Sequence, residues 1–377
     1  MERISIDNVV KSVDGVLTKR CSENYITGVK HDSRECGAGD LFVAVVGEKQ
    51  DGHGYIPQVV ERGCKTVMVS HEDGWSDSIG DADINVIKVD DTVYAMGQLA
   101  KYYLETLDMI KVAVTGSVGK TSTRDMIYYV LSEKYRCGRN MKNYNNAIGL
   151  PLSVFQFDSS TEAAVLEMGM DKFGEIDRLA EIVKPNIAVI TNIGVSHIEN
   201  LGSREGIFKA KMEVTKHITD CSGRQGTLVF PRDDEFLNGE NTRGDYRQIM
   251  IGQNGRSDYI ISDIDDFGLE GIKFTVEHLQ QSTRISIGVP GRHNAVNATL
   301  AIAVGNLLGI SVDEARRGLA KTELTGRRLR TLKGRELKII DDTYNAVSYT
   351  HLDVYKRQVL QLNRQQVENN SACKIQR

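Results

Sequence analysis

The sequence predicts an α/β protein built from more than one unit. The expected order is a small N-terminal α/β domain, a central doubly wound P-loop domain with an antiparallel extension, and an incomplete C-terminal Rossmann-like domain. Three observations carry this. Short apolar runs bounded by Gly and Asp alternate with helically spaced segments over most of the chain. A Gly-rich turn ending in Lys-Thr joins an apolar strand to a helix near residues 115–122. The length, 377 residues, is two and a half times the roughly 150 residues of an average domain.

Composition narrows the class. With 40% hydrophobic and 26% charged residues, 35 Gly and 5 Pro, the chain is neither collagen-like, disordered nor a disulfide scaffold. No window reaches the ~18 apolar residues of a membrane span, and the N-terminus has no apolar leader core. A cytoplasmic protein without membrane insertion is expected. Six cysteines lie scattered without a CxxC pair, so reduced thiols fit better than zinc or disulfides. A net charge of −4 gives no basic field for nucleic acid.

Residues 1–109 read as the first domain. Strands are expected at Leu41–Val46, Thr66–Val69 and Val86–Val89, with helical spacing at Tyr55–Arg62 and over 92–107. Residues 110–323 form the second. Ile110–Val114 is a short apolar strand, and a helix follows over 120–132. Further strands are expected at Ala163–Leu166, Ile187–Ile190 and Thr227–Phe230, with helices at 174–183 and 204–216 between them. Alternating runs at Gln248–Ile251, Tyr259–Ser262, Ile272–Val276 and Arg284–Ile287 suit an antiparallel extension. Helices over 293–308 and 311–320 close the domain. Leu324–Arg330 reads as a linker, and Leu337–Ile340 as the first strand of a third α/β unit spanning 324–346.

The sharpest local signal is Thr115-Gly-Ser-Val-Gly-Lys-Thr-Ser122. Gly116 and Gly119 let the backbone turn tightly and aim N–H groups inward, and the helix N-terminus adds its positive end. Lys120 can reach β- and γ-phosphates, and Thr121 offers a hydroxyl to Mg²⁺. The spacing is two residues shorter than the common GxxxxGK[ST] form. Glu167 ends a buried-looking strand, on the edge of a parallel sheet that faces ligand, where a carboxylate suits Mg²⁺ or caps the next helix. His197 follows a strand through a loop, where a lone histidine is more often structural. Lys211 sits among Lys209 and Lys216 on a charged helix, and nothing in its spacing singles it out. Asn143, Asn145 and Asn146 are either ligand-binding amides or turn residues. Asn294 and Asn297 open a helix, where Asn294 is a good N-cap. In the first domain Ser33 and Arg34, with the Gly-rich loop Asp51-Gly-His53-Gly54, suit either a phosphorylated ligand or turn chemistry.

Taken together these segments resemble the Mur ligases of bacterial cell-wall synthesis. The family's shortened phosphate loop is similar to Thr115–Ser122, and NYNNAIGLP at Asn143–Pro151 to its ligand segment. LEMGM at Leu166–Met170 with GEI at Gly174–Ile176 resembles the member that joins D-alanyl-D-alanine to UDP-N-acetylmuramoyl-tripeptide. TNIGVSHIENLGSREGIFKAKMEV, GRHNAVNA and DDTYNA follow in the family's order, as do HDSR and GDLFVAVVGEKQDGHGYI before them. The resemblance covers residues 1–346. It implies a UDP-binding first domain with Ser33 and Arg34 on substrate. It implies ATP and Mg²⁺ as cofactors, with Thr115, Gly116, Ser117, Gly119, Lys120, Thr121 and Ser122 on the phosphates and Asn294 and Asn297 on adenine. Thr121, Glu167, His197 and Lys211 are implied to hold metal, with Lys211 carbamylated, while Lys120, Lys211 and His197 serve the chemistry. Arg327 aligns with a family arginine near the hinge to the third domain, with Arg328 adjacent. The implied reaction activates the tripeptide carboxylate as an acyl phosphate, which the amine of D-alanyl-D-alanine attacks. A monomer is expected. Two other readings stay open: another amino-acid or folylpolyglutamate-type ligase of the superfamily, and a non-catalytic nucleotide-binding paralogue.

The pattern breaks after Ala346. Residues 347–377 contain no glycine and carry a net +3, against −7 for the first 346. SYTHLDVYKRQ resembles an adaptor-derived tail, with a diverged short C-terminus as the competing reading. The expectation is a third domain cut short, a poorly ordered tail, and a chain that binds substrate and ATP but ligates poorly.

Overall fold

The computed structural model describes residues 1–325 apart from Lys142, Ser222 and Asn254, together with 330–333 and 338–341. Residues 1–325 form one compact unit, and a second begins at Gly326. Arg327 and the tail from Val347 lie outside the described residues.

The chain opens with β1 (Ile4–Ser5), α1 (Ile6–Ser12), β2 (Val16–Lys19), β3 (Tyr25–Ile26), β4 (Gly28–Lys30) and β5 (Asp40–Val43). It continues through α2 (Ile56–Glu61), β6 (Thr66–Val69), α3 (Ser76–Ile79) and β7 (Asn85–Lys88). Strand β1 ends at Ser5, whose side chain accepts from the Asn8 amide and caps helix α1. The five-stranded sheet has the order β2-β7-β6-β5-β4. Strands β4 to β7 are parallel and β2 is antiparallel to β7. All four residues of β6 are buried, the continuous apolar run of a strand covered on both faces.

Helix α4 (Thr92–Glu105) leads to a second sheet. Its elements are β8 (Ile110–Thr115), α5 (Lys120–Leu131), β9 (Cys137–Arg139), α6 (Gly149–Val154), β10 (Ala163–Glu167), α7 (Glu175–Val183) and β11 (Ile187–Ile190). After them come α8 (Ile198–Leu201), α9 (Arg204–Met212), β12 (Thr227–Pro231), β13 (Arg247–Gly252), β14 (Tyr259–Asp266), β15 (Ile272–His278) and β16 (Gln281–Ile287). Helices α10 (Asn294–Leu307) and α11 (Val312–Ala320) end the unit. The nine strands are ordered β16-β15-β14-β13-β12-β11-β8-β10-β9. The phosphate-loop strand β8 thus lies between β10 and β11, where the winding direction reverses and ligands bind at the carboxyl ends.

Two expectations need correction here. The segment 246–288 is not wholly antiparallel. Strand β13 runs parallel to β12, and β14 touches β13 in parallel before β15 and β16 add antiparallel strands. The long connection 232–246 carries the chain back across the sheet, and alternation alone does not encode strand direction. Arg330, taken as the end of a linker, begins β17 (Arg330–Lys333), which pairs antiparallel with β18 (Lys338–Asp341). The strand near 337–340 is therefore the second of its unit. Two refinements are smaller. The helix over 204–216 is α-helical only to Met212 and tightens into a 3₁₀ turn over Glu213–His217. Asn294 is the first helical residue and not the cap, which is His293.

The two sheets are joined through α4. Its buried face shares one hydrophobic cluster with α6 and α7 and with strands of both sheets. A Cβ on Gly97 would stand 3.0 Å from Ile182 Cδ1, so glycine sets how closely α4 and α7 approach. Lys101–Glu181 (2.7 Å) and Lys184–Glu105 (2.6 Å) flank this seam. The Tyr103 hydroxyl donates to Phe157 O and accepts from the Glu2 amide, both at 2.7 Å.

Candidate functional site

The site is assembled at the carboxyl ends of β8, β10 and β11. Gly116 leaves β8 with φ 145°. A Cβ there would fall 1.9 Å from Thr191 Oγ1, so only glycine fits. Gly119 has φ 83° and precedes α5 without any side-chain cap, a helix N-terminus of the kind that suits an anion. The loop between them is fixed from β11's side. Asn192 accepts from the Val118 amide at 3.0 Å and donates to Val118 O at 2.8 Å, and Thr191 Oγ1 donates to the same carbonyl at 2.6 Å. Ser117 Oγ accepts from the Gly194 amide at 2.8 Å. Lys120 folds back over the loop, its Nζ 2.8 Å from Gly116 O. The Thr115 hydroxyl is buried without a hydrogen-bond partner. Ser122 is half-buried on the first turn of α5.

Glu167 ends β10 in register with Val114 and is 2% exposed. Thr121 Oγ1 donates to its Oε2 at 2.8 Å, and Asn145 Nδ2 to its Oε1 at 2.8 Å. Asn140 clamps its backbone on both sides, accepting from Glu167 N at 2.8 Å and donating to Glu167 O at 2.9 Å. Lys211, on α9, is also 2% exposed. Burial, and then the nearby Lys120 charge, pull its ammonium down to about 7, so a large neutral fraction exists at physiological pH. The spacing of Lys211 among exposed lysines gave no sign of this.

The remaining candidates divide. Asn297 donates to Asn294 Oδ1 at 2.8 Å, and a Cβ on Gly119 would meet its amide at 3.3 Å. The α10 amides therefore sit against the phosphate loop. Asn294 itself donates to Pro290 O at 2.7 Å. Asn146 accepts from the amides of Ile148 and Gly149 and starts α6, while Asn143 is exposed. His197 is the left-handed residue before α8, with φ 66°, and its Nδ1 lies 2.9 Å from Asp171. Its partner in the structure is thus Asp171, which the sequence reading had passed over. Arg124, Asp125 and Arg139 were also passed over. An exposed-looking Arg-Asp pair in a helix gives no signal of burial, yet both are fully buried.

In the turn after β4 Arg34 is held by Asp32 at 2.6 Å, which keeps the Asp32 carboxyl well below its usual range. Ser33 is buried, and its carbonyl accepts from Arg62. Asp51 bridges His53 Nδ1 (2.6 Å) and His71 Nε2 (3.0 Å), the one His/Cys/Asp/Glu cluster of metal-binding size among the described residues. It is a poor metal site. His53 Nε2 already accepts from the Ser70 amide at 3.0 Å, so Nδ1 carries the proton that Asp51 receives. A metal on Nδ1 would need an imidazolate or a broken backbone bond.

The donor set around Thr121 and Glu167 does fit a divalent cation of the hard type: a hydroxyl and a buried carboxylate beside a helix N-terminus that carries no side-chain cap. A cation there would neutralise phosphate charge. Among the described residues no helix is long and apolar enough to cross a membrane.

Known proteins resemble this chain in sequence and in fold. Residues 114–305 match the Mur ligase middle domain and residues 25–104 the Mur ligase family catalytic domain. The chain is 39% identical over 350 residues to the UDP-N-acetylmuramoyl-tripeptide–D-alanyl-D-alanine ligase of Bacillus subtilis, covering 92% of this chain and 73% of that one. It is 31% identical over 330 residues to the same-named ligase of Treponema pallidum, covering 85% and 69%. Among solved structures it resembles MurF from Acinetobacter baumannii, with TM-score 0.83, 31% identity and coverage of 92% and 74%. It also resembles MurF from Thermotoga maritima in complex with ADP, with TM-score 0.74, 29% identity and coverage of 85% and 71%.

Proposed function

The chain belongs to the Mur ligase family, and on that premise we propose that it is the ATP-dependent ligase that joins D-alanyl-D-alanine to UDP-N-acetylmuramoyl-tripeptide in peptidoglycan precursor synthesis. The observation that most supports it is the Thr121–Glu167 pair beneath an uncapped, glycine-turned loop at the switch point of a parallel sheet.

In this reading the amides of the 116–122 loop and Lys120 hold the β- and γ-phosphates. Asn294 and Asn297 lie toward the base. Thr121, Glu167, His197 and a carbamylated Lys211 hold Mg²⁺, which supplies charge neutralisation when bound. Asn143, Asn145 and Asn146, with Ser33 and Arg34 in the turn after β4, take the UDP-linked substrate. Phosphoryl transfer to the free tripeptide carboxylate gives an acyl phosphate and ADP. The D-alanyl-D-alanine amine then attacks the acyl carbon, and phosphate leaves as the amide forms. The protein's share is positioning and electrostatics. The near-neutral Lys211 amine is the state that takes up CO₂, which supports its assignment as the carbamate. The residue ranges 1–109, 110–323 and 324–346 are proposed as the UDP-substrate-binding domain, the central ATP-binding domain and the start of a C-terminal ligase domain.

Incubating the chain with UDP-N-acetylmuramoyl-tripeptide, Mg²⁺-ATP and a panel of amines tests the reading. Product mass identifies the amine at any rate of turnover. Addition of the D-alanyl-D-alanine mass is expected; a glutamyl or single-residue product, or failure to bind the UDP-linked tripeptide, overturns it. Lys120→Ala is expected to weaken ATP binding at least tenfold by equilibrium dialysis, with the fold unchanged.

A further inference from the structure

Helix α5 carries phosphate-site residues on its first turn and a fully buried ion pair on its second. Arg124 and Asp125 are each 0% exposed. Charges removed from water this completely must be matched by others. Among the described residues, Arg124 and Arg139 face Asp125 and Glu167.

The two oxygens of Asp125 have different tasks. Oδ1 accepts from Arg124 Nε (3.0 Å), Arg124 Nη2 (2.6 Å) and Arg139 Nη1 (2.9 Å). Oδ2 accepts from the Thr325 backbone amide at 2.6 Å. Thr325 is the last residue of the first compact unit, 200 positions along the chain from Asp125. At the other end of the cluster, Arg124 Nη1 lies 3.5 Å from Glu167 Oε2, the oxygen that also accepts from Thr121.

We propose that Asp125 is a positioning residue that, through Arg124, couples the occupancy of Glu167 to the backbone at Thr325. The proposal rests on the nucleotide site assigned above. A cation drawn to Glu167 Oε2 repels the Arg124 guanidinium that shares that oxygen. The guanidinium is fully buried, and among the described residues its other anionic partner is Asp125. Strengthening the Arg124–Asp125 contact draws on the same carboxylate that fixes Thr325. The phosphate site and the exit of the chain from the first unit are thus read by one buried carboxylate.

Hydrogen exchange of the full chain, with and without Mg²⁺ and the non-hydrolysable analogue AMP-PNP, tests this at overlapping peptides that resolve Thr325. Nucleotide binding is measured in parallel by titration. The expected result is a change of at least about threefold in Thr325 exchange on binding. In Asp125→Asn and Arg124→Lys that response is lost, while exchange in β10 and β12 still responds. A purely structural role would shift Thr325 equally with and without nucleotide. Unchanged exchange at Thr325 in the wild type overturns the relay whether or not the variants fold. A full response in Asp125→Asn does so too. Absence of nucleotide binding sinks the site assignment and the relay together; binding without a response at Thr325 sinks the relay alone.

Discussion

Lys211 shows what a single side chain costs and offers in this fold. Its amine is buried beside another cation, so the folded state holds its proton less tightly than the unfolded chain does. The unfolded state therefore binds more protons between the folded value of about 7 and the ordinary value of 10.5, and stability rises with pH across that window. In bicarbonate-free buffer Lys211→Met is expected to be more stable than wild type at pH 7, by on the order of a few kcal/mol. The gap should shrink as pH approaches 10 in thermal or urea unfolding, and a gap independent of pH would contradict the assignment. Sequence spacing was blind to this residue because helical position says nothing about what covers a side chain. Glu167 was legible for the opposite reason: the end of an apolar strand in a parallel sheet fixes which edge it faces. His197 was placed in the right loop, but its pairing with Asp171 depends on two loops meeting, which no local pattern records.

At the scale of elements, local chemistry did most of the work. Strands β6 and β11 were readable to the residue, because uninterrupted β-branched and apolar runs between turn residues have no competing helical period. Strand β9 escaped, since Cys137-Gly-Arg139 is neither apolar nor alternating and is held by pairing with β10. Strand direction in β13 escaped as well, being a property of the connection. Helix α11 shows a local rule at full strength. Ser311 accepts from the Glu314 amide, and Glu314 returns a bond to the Ser311 amide, forming a capping box. Ser311→Ala is expected to lower stability by about 1 kcal/mol in denaturant titrations, with nucleotide binding unaltered.

Across the whole molecule, the described residues up to Thr325 behave as one body because α4 belongs to both sheets. The sequence placed a boundary at residue 109, where the character of the pattern changes. The shared cluster across that point comes from tertiary packing, which pattern changes do not reveal. A cooperative body has a measurable signature. Nucleotide at a hundred times its Kd adds about 2.7 kcal/mol of stability. Amides in β5 and β6, far along the chain from the phosphate loop, should gain protection alongside those in β8 and β10. Protection confined to the second sheet would mean that the α4 seam opens independently.

The clamp on Val118 has a consequence for the rate at which nucleotide arrives. Thr191 and Asn192 hold the loop's carbonyl and amide in place through hydrogen bonds within the chain itself. Capture then requires no slow rearrangement of the loop, and encounter is governed by diffusion and by the attraction between a polyanion and the amides and ammonium waiting for it. In the proposed nucleotide site such association slows as salt is added, and residence time depends on how readily Lys120 exchanges the carbonyls of Gly116 and Ser117 for phosphate oxygens.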